Sequence, residues 1–289
     1  ALGDVACHHA DFAAAERFYR DSMRVYEELD DRRGQAKAWQ ALGDNARLGD
    51  DYPSAGRYYA KAERLCGDLG DRLGQADAWW GQGTVAQMDE DYTRAEHHFQ
   101  SAQSVYAVLG SLRGQADTAW SLGHVARLRG DLDTAEREFT AALETYQAFE
   151  NLIGQADSWL GLGDTARAKG DLDAAERRYR EAEDAHLRMG TPRGWANAWW
   201  GLGETARLRG DPETAERYFR EADGTYADTG NLLGRAESHR GLSLIAAARD
   251  EADAELRLLR LAQDFYRQAG AERRAEGCQG RIDELEGDI

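Results

Sequence analysis

Histidine doublets, scattered thiols and paired tryptophans are the residues of this chain whose chemistry could make a site. Cys7-His8-His9 brings together three metal-ligating side chains, but consecutive residues near a helix end diverge and cannot converge on one ion. His97-His98 falls on a helix read as outward-facing, where a solvated surface accounts for the doublet. Cys7, Cys66 and Cys278 are odd in number and lack metal-like spacing, so they read as ordinary thiols of a reducing, cytoplasmic compartment. Glutamate–arginine neighbours such as Glu136–Arg137 belong to a recurring Ala-Glu-Arg stretch of an exposed helix. No Ser/His/Asp or Cys/His set is spaced for nucleophilic catalysis, and the glycines form no phosphate loop. The chain is therefore expected to be non-catalytic, without cofactor or metal.

The tryptophans differ because they recur in register. Gln40, Trp80, Trp120, Leu160, Trp200 and Arg240 are spaced by forty residues, and Trp79 and Trp199 adjoin two of them. Adjacent residues on a helix point about 100° apart, so Trp79 and Trp80 cannot enter the same interhelical core. Trp79 and Trp199 are assigned the packing position, which Ala119 takes in its copy, leaving Trp80, Trp120 and Trp200 on a second face. Two roles are open to that face. The indoles can lie flat on the next copy beside small residues such as Gly81, Ser121 and Gly201, or they can anchor a peptide. Anchoring is the expectation carried forward.

Charged rows flank the indoles: Asp77, Asp117 and Asp157 on one edge, Arg47, Arg127, Arg167 and Arg207 on another. Asp44–Arg47, Asp164–Arg167 and Glu204–Arg207 lie three apart and can satisfy one another on a helix surface. Arg127 has His124 in place of the acid. Recognition is thus expected to centre on Trp80, Trp120, His124 and Arg127, with Leu160 and Trp200 continuing the row.

The elements that must position these residues come from a forty-residue unit repeated without insertion or deletion. Gly34, Gly74, Gly114, Gly154, Gly194 and Gly234 open successive copies, each followed two residues later by alanine. A fixed period of this length marks a solenoid, in which a unit buries its apolar face against its neighbours. In the copy from Gly34 to Leu73, helix runs to Leu48, a break falls at Gly49-Asp50, and a second helix spans about Tyr52 to Leu69. First helices are predicted to start near 32, 72, 112, 152, 192 and 232. Asp11, Asp51, Asp91, Asp131, Asp171 and Asp211 are placed to cap second helices, and Asp31, Asp71, Ser111, Asn151, Thr191 and Asn231 to cap first ones. Glycines 70, 110, 190, 230 and 270 supply left-handed helix ends, and Pro53, Pro192 and Pro212 fall in first turns. No room is left for a sheet.

Trp39-x-x-Leu42-Gly43-x-x-Ala46 followed by Ala55-x-x-x-Tyr59-x-x-Ala62 resembles the tetratricopeptide repeat. The resemblance covers essentially the whole chain. It departs in its forty-residue period and in lacking the closing proline. The second helix is lengthened instead, carrying Tyr26, Tyr106, Tyr146, Tyr226 and Tyr266. Such variants resemble those of cell-polarity adaptors and of bacterial regulators joined to an ATPase or DNA-binding domain. The resemblance implies an all-α, right-handed superhelical solenoid of antiparallel helix pairs, with first helices lining a concave groove. It also implies a protein or peptide partner, and no cofactor. The copies read as a partial repeat 1–33, repeats 34–73, 74–113, 114–153, 154–193 and 194–233, a degenerate repeat 234–273 and a capping helix 274–289, together one domain. In the degenerate copy His239, Ser243 and Glu255 replace tryptophan, glycine and alanine.

The net charge of −17 repels phosphate backbones, so nucleic acid is not expected as a partner. No apolar run approaches the ~20 residues needed to cross a bilayer, which argues against a membrane partner. Ala1-Leu2-Gly3-Asp4 aligns with Ala41-Leu42-Gly43-Asp44, so the chain is expected to be a piece of a longer polypeptide. The function expected is a peptide-binding scaffold, its ligand a partner's segment or the rest of its own chain. The alternatives are an effector-sensing domain of a signalling ATPase or transcriptional regulator, and a self-association module.

Overall fold

The structure is a computed structural model that describes Gly3, Ala6 and residues 11–287. Cys7, His8 and His9 lie outside the described residues. Every regular element among those described is an α-helix, and the chain divides into two compact units, Ala1–Glu150 and Asn151–Ile289. The first unit holds α1 (Phe12–Glu28), α2 (Arg32–Leu48), α3 (Tyr52–Leu69), α4 (Arg72–Met88), α5 (Tyr92–Leu109), α6 (Leu112–Leu128) and α7 (Leu132–Ala148). The second holds α8 (Leu152–Lys169), α9 (Leu172–Met189), α10 (Pro192–Leu208), α11 (Pro212–Asp228), α12 (Leu232–Ala248), α13 (Ala252–Gln268) and α14 (Glu272–Gly287).

Within each unit the helices stack as antiparallel pairs: α2/α3, α4/α5 and α6/α7 in the first, α8/α9, α10/α11 and α12/α13 in the second, closed by α14 on α13. First helices of neighbouring pairs also touch, α2 with α4 and α4 with α6, then α8 with α10 and α10 with α12. This is an all-α solenoid of tetratricopeptide-like pairs. The predicted helix starts at 32, 72, 112, 152, 192 and 232 are the observed ones.

The local chemistry explains the register. Asp51 Oδ1 accepts from Ser54 N–H at 3.0 Å, and Asp11, Asp91, Asp131, Asp171 and Asp211 cap their helices in the same way. Thr191 departs from expectation: its side chain makes no cap bond, because its hydroxyl is engaged with His186 instead. A left-handed residue falls every twenty positions. Glycine fills it at 70, 110, 130, 170, 190, 210, 230 and 270, but Asp30, Asp50, Glu90, Glu150 and Asp250 take it elsewhere. At the Gly49-Asp50 break the left-handed residue is therefore the aspartate, at a φ of 60°.

Rings at two positions lock neighbouring first helices together, with Cys66 and Leu259 standing for a ring in the copies from Gly34 and Gly234. Tyr59, fully buried, lies against both Gly43 of its own copy and Gly81 of the next, where an added Cβ would meet the ring at 2.6 and 2.5 Å. Phe219 sits in the same way between Gly203 and Gly241. The second ring comes from the lengthened helix: Tyr106 rests on Gly114 of the next copy and sends its hydroxyl back to Asp77 of its own. Alanines 55, 62, 95, 102, 135 and 142 are fully buried beside these rings, so the helices approach closely around them.

Candidate functional site

In the first unit, α4 carries Asp77 and Trp80, and α6 carries Asp117, Trp120, His124 and Arg127. Trp80 is half-buried and bridges two clusters, one of Phe99, Leu122 and Val125 and another of Ala102, Val105 and Tyr106. Its Nε1 donates to Ser121 Oγ at 3.2 Å, and the Arg47 guanidinium lies 5.5 Å from its ring centroid. Trp120, also half-buried, packs on Ala116, Ala119, Ala142 and Tyr146. The His124 ring sits 4.3 Å from it and meets Phe139 edge-on at 5.2 Å.

Trp120 Nε1 and Arg127 Nε are buried and reach no hydrogen-bond acceptor among the described residues. Gly161 stands for Trp120 where Ser121 serves Trp80, and for Arg127 the reason is a change of two residues. In the Arg47 copy, Arg47 Nε donates to the Tyr59 hydroxyl at 3.3 Å, and that hydroxyl donates to Asp44 at 2.8 Å. In the Arg127 copy, Phe139 stands for the tyrosine and His124 for the acid. The predicted direct Asp44–Arg47 pair is thus relayed through a phenol, whereas Arg167 meets Asp164 at 3.4 Å and Arg207 meets Glu204 at 2.8 Å.

The carboxylates of the acidic edge are held in place. Asp77 accepts from the Tyr106 hydroxyl and Asp117 from the Tyr146 hydroxyl, both at 2.6 Å. Burial pushes the Asp77 carboxyl above the usual carboxylate range, and the phenol's hydrogen bond opposes the rise. Asp44 is raised for the same first reason. Gln40, Asp44, Asp77, Trp80, Arg113 and Asp117 line a surface pocket of about 390 Å³, large enough for a side chain of a bound segment.

The second unit carries the remaining predicted residues. Leu160 packs against the cluster of Tyr179, Leu202 and Tyr218. Trp200 is half-buried between Phe219 and Ile245 on one side and Ala222 and Tyr226 on the other, with the Arg167 guanidinium 5.4 Å from its ring. Its Nε1 has no acceptor, since Gly241 occupies the position from which Ser121 serves Trp80. Asp157 faces His186 at 3.8 Å rather than a tyrosine; burial pushes its carboxyl up to about 6 while Arg193 pulls it back.

Of the three expected anchor indoles, Trp80 and Trp200 pack between copies and Trp120 packs on its own copy, and only part of each ring meets water. Trp79 and Trp199 are half-buried too, their Nε1 groups donating to Glu63 at 2.9 Å and Glu183 at 2.6 Å. Among the described residues the fully buried rings are those of Tyr59, Phe99, Phe139, Tyr179, Phe219 and Tyr266. Among the described residues no group of three or more His, Cys, Asp and Glu could hold a metal ion, and no helix is long and apolar enough to cross a membrane.

One site escaped the sequence. Between α12, α13 and α14 lies a cavity of about 600 Å³ bordered by Arg240, Leu244, Glu255, Leu259, Arg274 and Arg281. Its signal lies in Ser243 and Glu255, where every other complete copy has glycine and alanine.

The tetratricopeptide repeat family matches residues 74–148 and 114–188. The chain is built of tetratricopeptide-like repeats. No curated protein matches it. Among solved structures, a tetratricopeptide repeat protein from Parabacteroides merdae is 13% identical with a TM-score of 0.66, over 96% of this chain and 95% of that one. Aspartyl phosphate phosphatase F from Bacillus subtilis is 12% identical with a TM-score of 0.68, over 91% of this chain and 74% of that one. The Rap conjugation gene regulator of plasmid pLS20, in complex with the Phr* peptide, is 15% identical with a TM-score of 0.62, over 88% of this chain and 76% of that one. At these identities the tetratricopeptide-like chain shares their fold.

Proposed function

We propose that this tetratricopeptide-like protein is a non-catalytic scaffold whose first-helix face holds a peptide segment of a partner protein. The observation that carries the proposal is the Trp120–His124–Arg127 stretch of α6, where two buried donors lack an acceptor beside half-buried aromatic rings. A buried donor without a partner costs about 1–3 kcal/mol, and a bound segment's carbonyl or carboxylate oxygen would recover it. Asp117, one turn before Trp120 on α6, and Asp77 on the neighbouring α4, each oriented by a phenol, offer complementary acceptors. Sensing of a peptide effector is the second reading, favoured by the structural neighbour solved with its Phr* peptide.

The test is retention of partner proteins on the immobilised chain, comparing the parent with Arg127→Gln. The packing of Trp120 makes its truncation ambiguous, so the arginine is the sharper probe. Arg127→Gln is expected to weaken capture by about tenfold with melting unchanged, while Arg137→Gln, on a second helix, leaves capture intact. Equal capture by the parent and Arg127→Gln would reject the α6 site.

A further inference from the structure

The cavity at the closing end of the second unit exists because the residues that fill the equivalent space elsewhere are missing. Where Trp80 and Trp200 place an indole, this copy has Arg240 and α14 has Gly280. At the position of Asp77 and Asp117, α14 has Gly277, whose Cβ direction is open, with nothing within 4 Å. The result is a cavity of about 600 Å³ with an apolar floor that includes Leu244 and Leu259, and a rim of three guanidinia, Arg240, Arg274 and Arg281.

The charges on that rim are arranged rather than scattered. Glu237 accepts from Arg240 at 3.1 Å and from Arg274 at 2.9 Å. Glu255, buried, accepts from Arg281 Nε at 2.7 Å and Nη2 at 3.2 Å, and Arg281 also reaches Glu284 at 3.0 Å. Glu237 is thus shared by two arginines, so the lining holds three cations against two carboxylates. Arg281 is balanced by Glu255 and Glu284, so the surplus rests on Arg240 and Arg274 against Glu237 alone, in a chain of net charge −17.

We propose that this cavity binds a small apolar monocarboxylate, its hydrocarbon body on Leu244 and Leu259 and its carboxylate on Arg274 and Arg240. An apolar floor with a few convergent polar groups is what small-molecule sites have in common, and guanidinium matches a carboxylate in shape as well as charge. Glu237 fixes the guanidinia that receive the ligand. The site lies outside the tryptophan row and stands independently of peptide binding on α6.

The experiment is titration calorimetry of the whole chain with decanoate, against decanol as the uncharged probe. Decanoate binds at one site per chain, and decanol binds at least about tenfold more weakly, as loss of a charged hydrogen bond requires. Gly277→Trp fills the cavity from an exposed, unobstructed helix position and abolishes binding, whereas Gly224→Trp, equally unobstructed on α11, does not. Arg274→Gln, whose side chain is largely exposed, removes the preference for decanoate without loss of helicity. No decanoate binding, equal binding of decanol, or binding that survives Gly277→Trp would each overturn the proposal.

Discussion

The same structural position is wired in two ways in the two units. In the first, Tyr106 and Tyr146 rise from the lengthened second helices and close on Asp77 and Asp117 at 2.6 Å. In the second, the first such position holds His186, and the shorter imidazole stops 3.8 Å from Asp157, its Nε2 without a partner. Its other nitrogen lies 2.8 Å from Thr191 Oγ1, which explains why Thr191 does not cap α10. Pro192 at the first turn of α10 lessens that loss by removing a donor that would need capping. Both rings nonetheless rest on the opening glycine of the next copy, Gly114 or Gly194. A ring, or at Cys66 against Gly74 a thiol, thus fixes how one copy meets the next. The polar tip is variable, and it decides whether the acidic edge is anchored.

The largest effect should come from deleting the ring in the anchored unit. Tyr106→Ala removes a buried aromatic and strands Asp77, and should cost about 3–5 kcal/mol in denaturant unfolding. His186→Ala should cost clearly less, since its hydrogen bond to the carboxylate is already absent. Equal losses would mean that the phenol–carboxylate bond contributes nothing. Next in size is the converse exchange. His186→Tyr should let a phenol reach Asp157 and free Thr191 to cap, raising stability by about 1 kcal/mol. A lower melting temperature for that variant would show that the second unit's spacing cannot accept the first unit's wiring.

The smallest effect is one of pH. Burial raises the Asp157 carboxyl to about 6, so the folded chain holds this proton more tightly than the unfolded one. The associated stability is fully present below the ordinary aspartate value and is lost as pH rises through about 6. Burial lowers the His186 imidazole, whose contribution runs the other way and falls as pH drops below its ordinary value. Asp157→Asn isolates the first of these. Its side chain remains partly solvated, so the variant should gain about 1 kcal/mol at neutral pH and nothing near pH 4. A gain independent of pH would place the cause in the amide's hydrogen bonding, as Asn197 accepts from Tyr226 at 2.7 Å in the following copy.

Helix register was legible because its determinants are local. Asp51 before Tyr52, Gly70 at a left-handed end and Pro192 in a first turn each act through their own backbone, so sequence alone located α3 and α10. The left-handed acids such as Glu90 were not legible, because nothing local distinguishes them from any loop residue until the forty-residue register is tied to backbone angles. The tryptophan face was half legible. Neighbouring indoles on a helix had to diverge, but Ser121, Leu122 and Val125, which receive Trp80, belong to another copy, and their packing set how much of the ring was covered. Thr191 failed as a cap for the same kind of reason: its competitor, His186, lies on the preceding helix. The terminal cavity was missed because it is defined by absent side chains at 277 and 280, and a missing indole reads in sequence as decay.

The central claim, that the first-helix face of this protein holds a partner segment, is tested most directly by hydrogen exchange of the chain with and without its captured partner. Partner binding should slow exchange on α6 and α4 around Trp120, Arg127 and Trp80, leaving the second helices α5 and α7 unchanged. Protection confined to α5 and α7, with α4 and α6 exchanging as in the free chain, would contradict it.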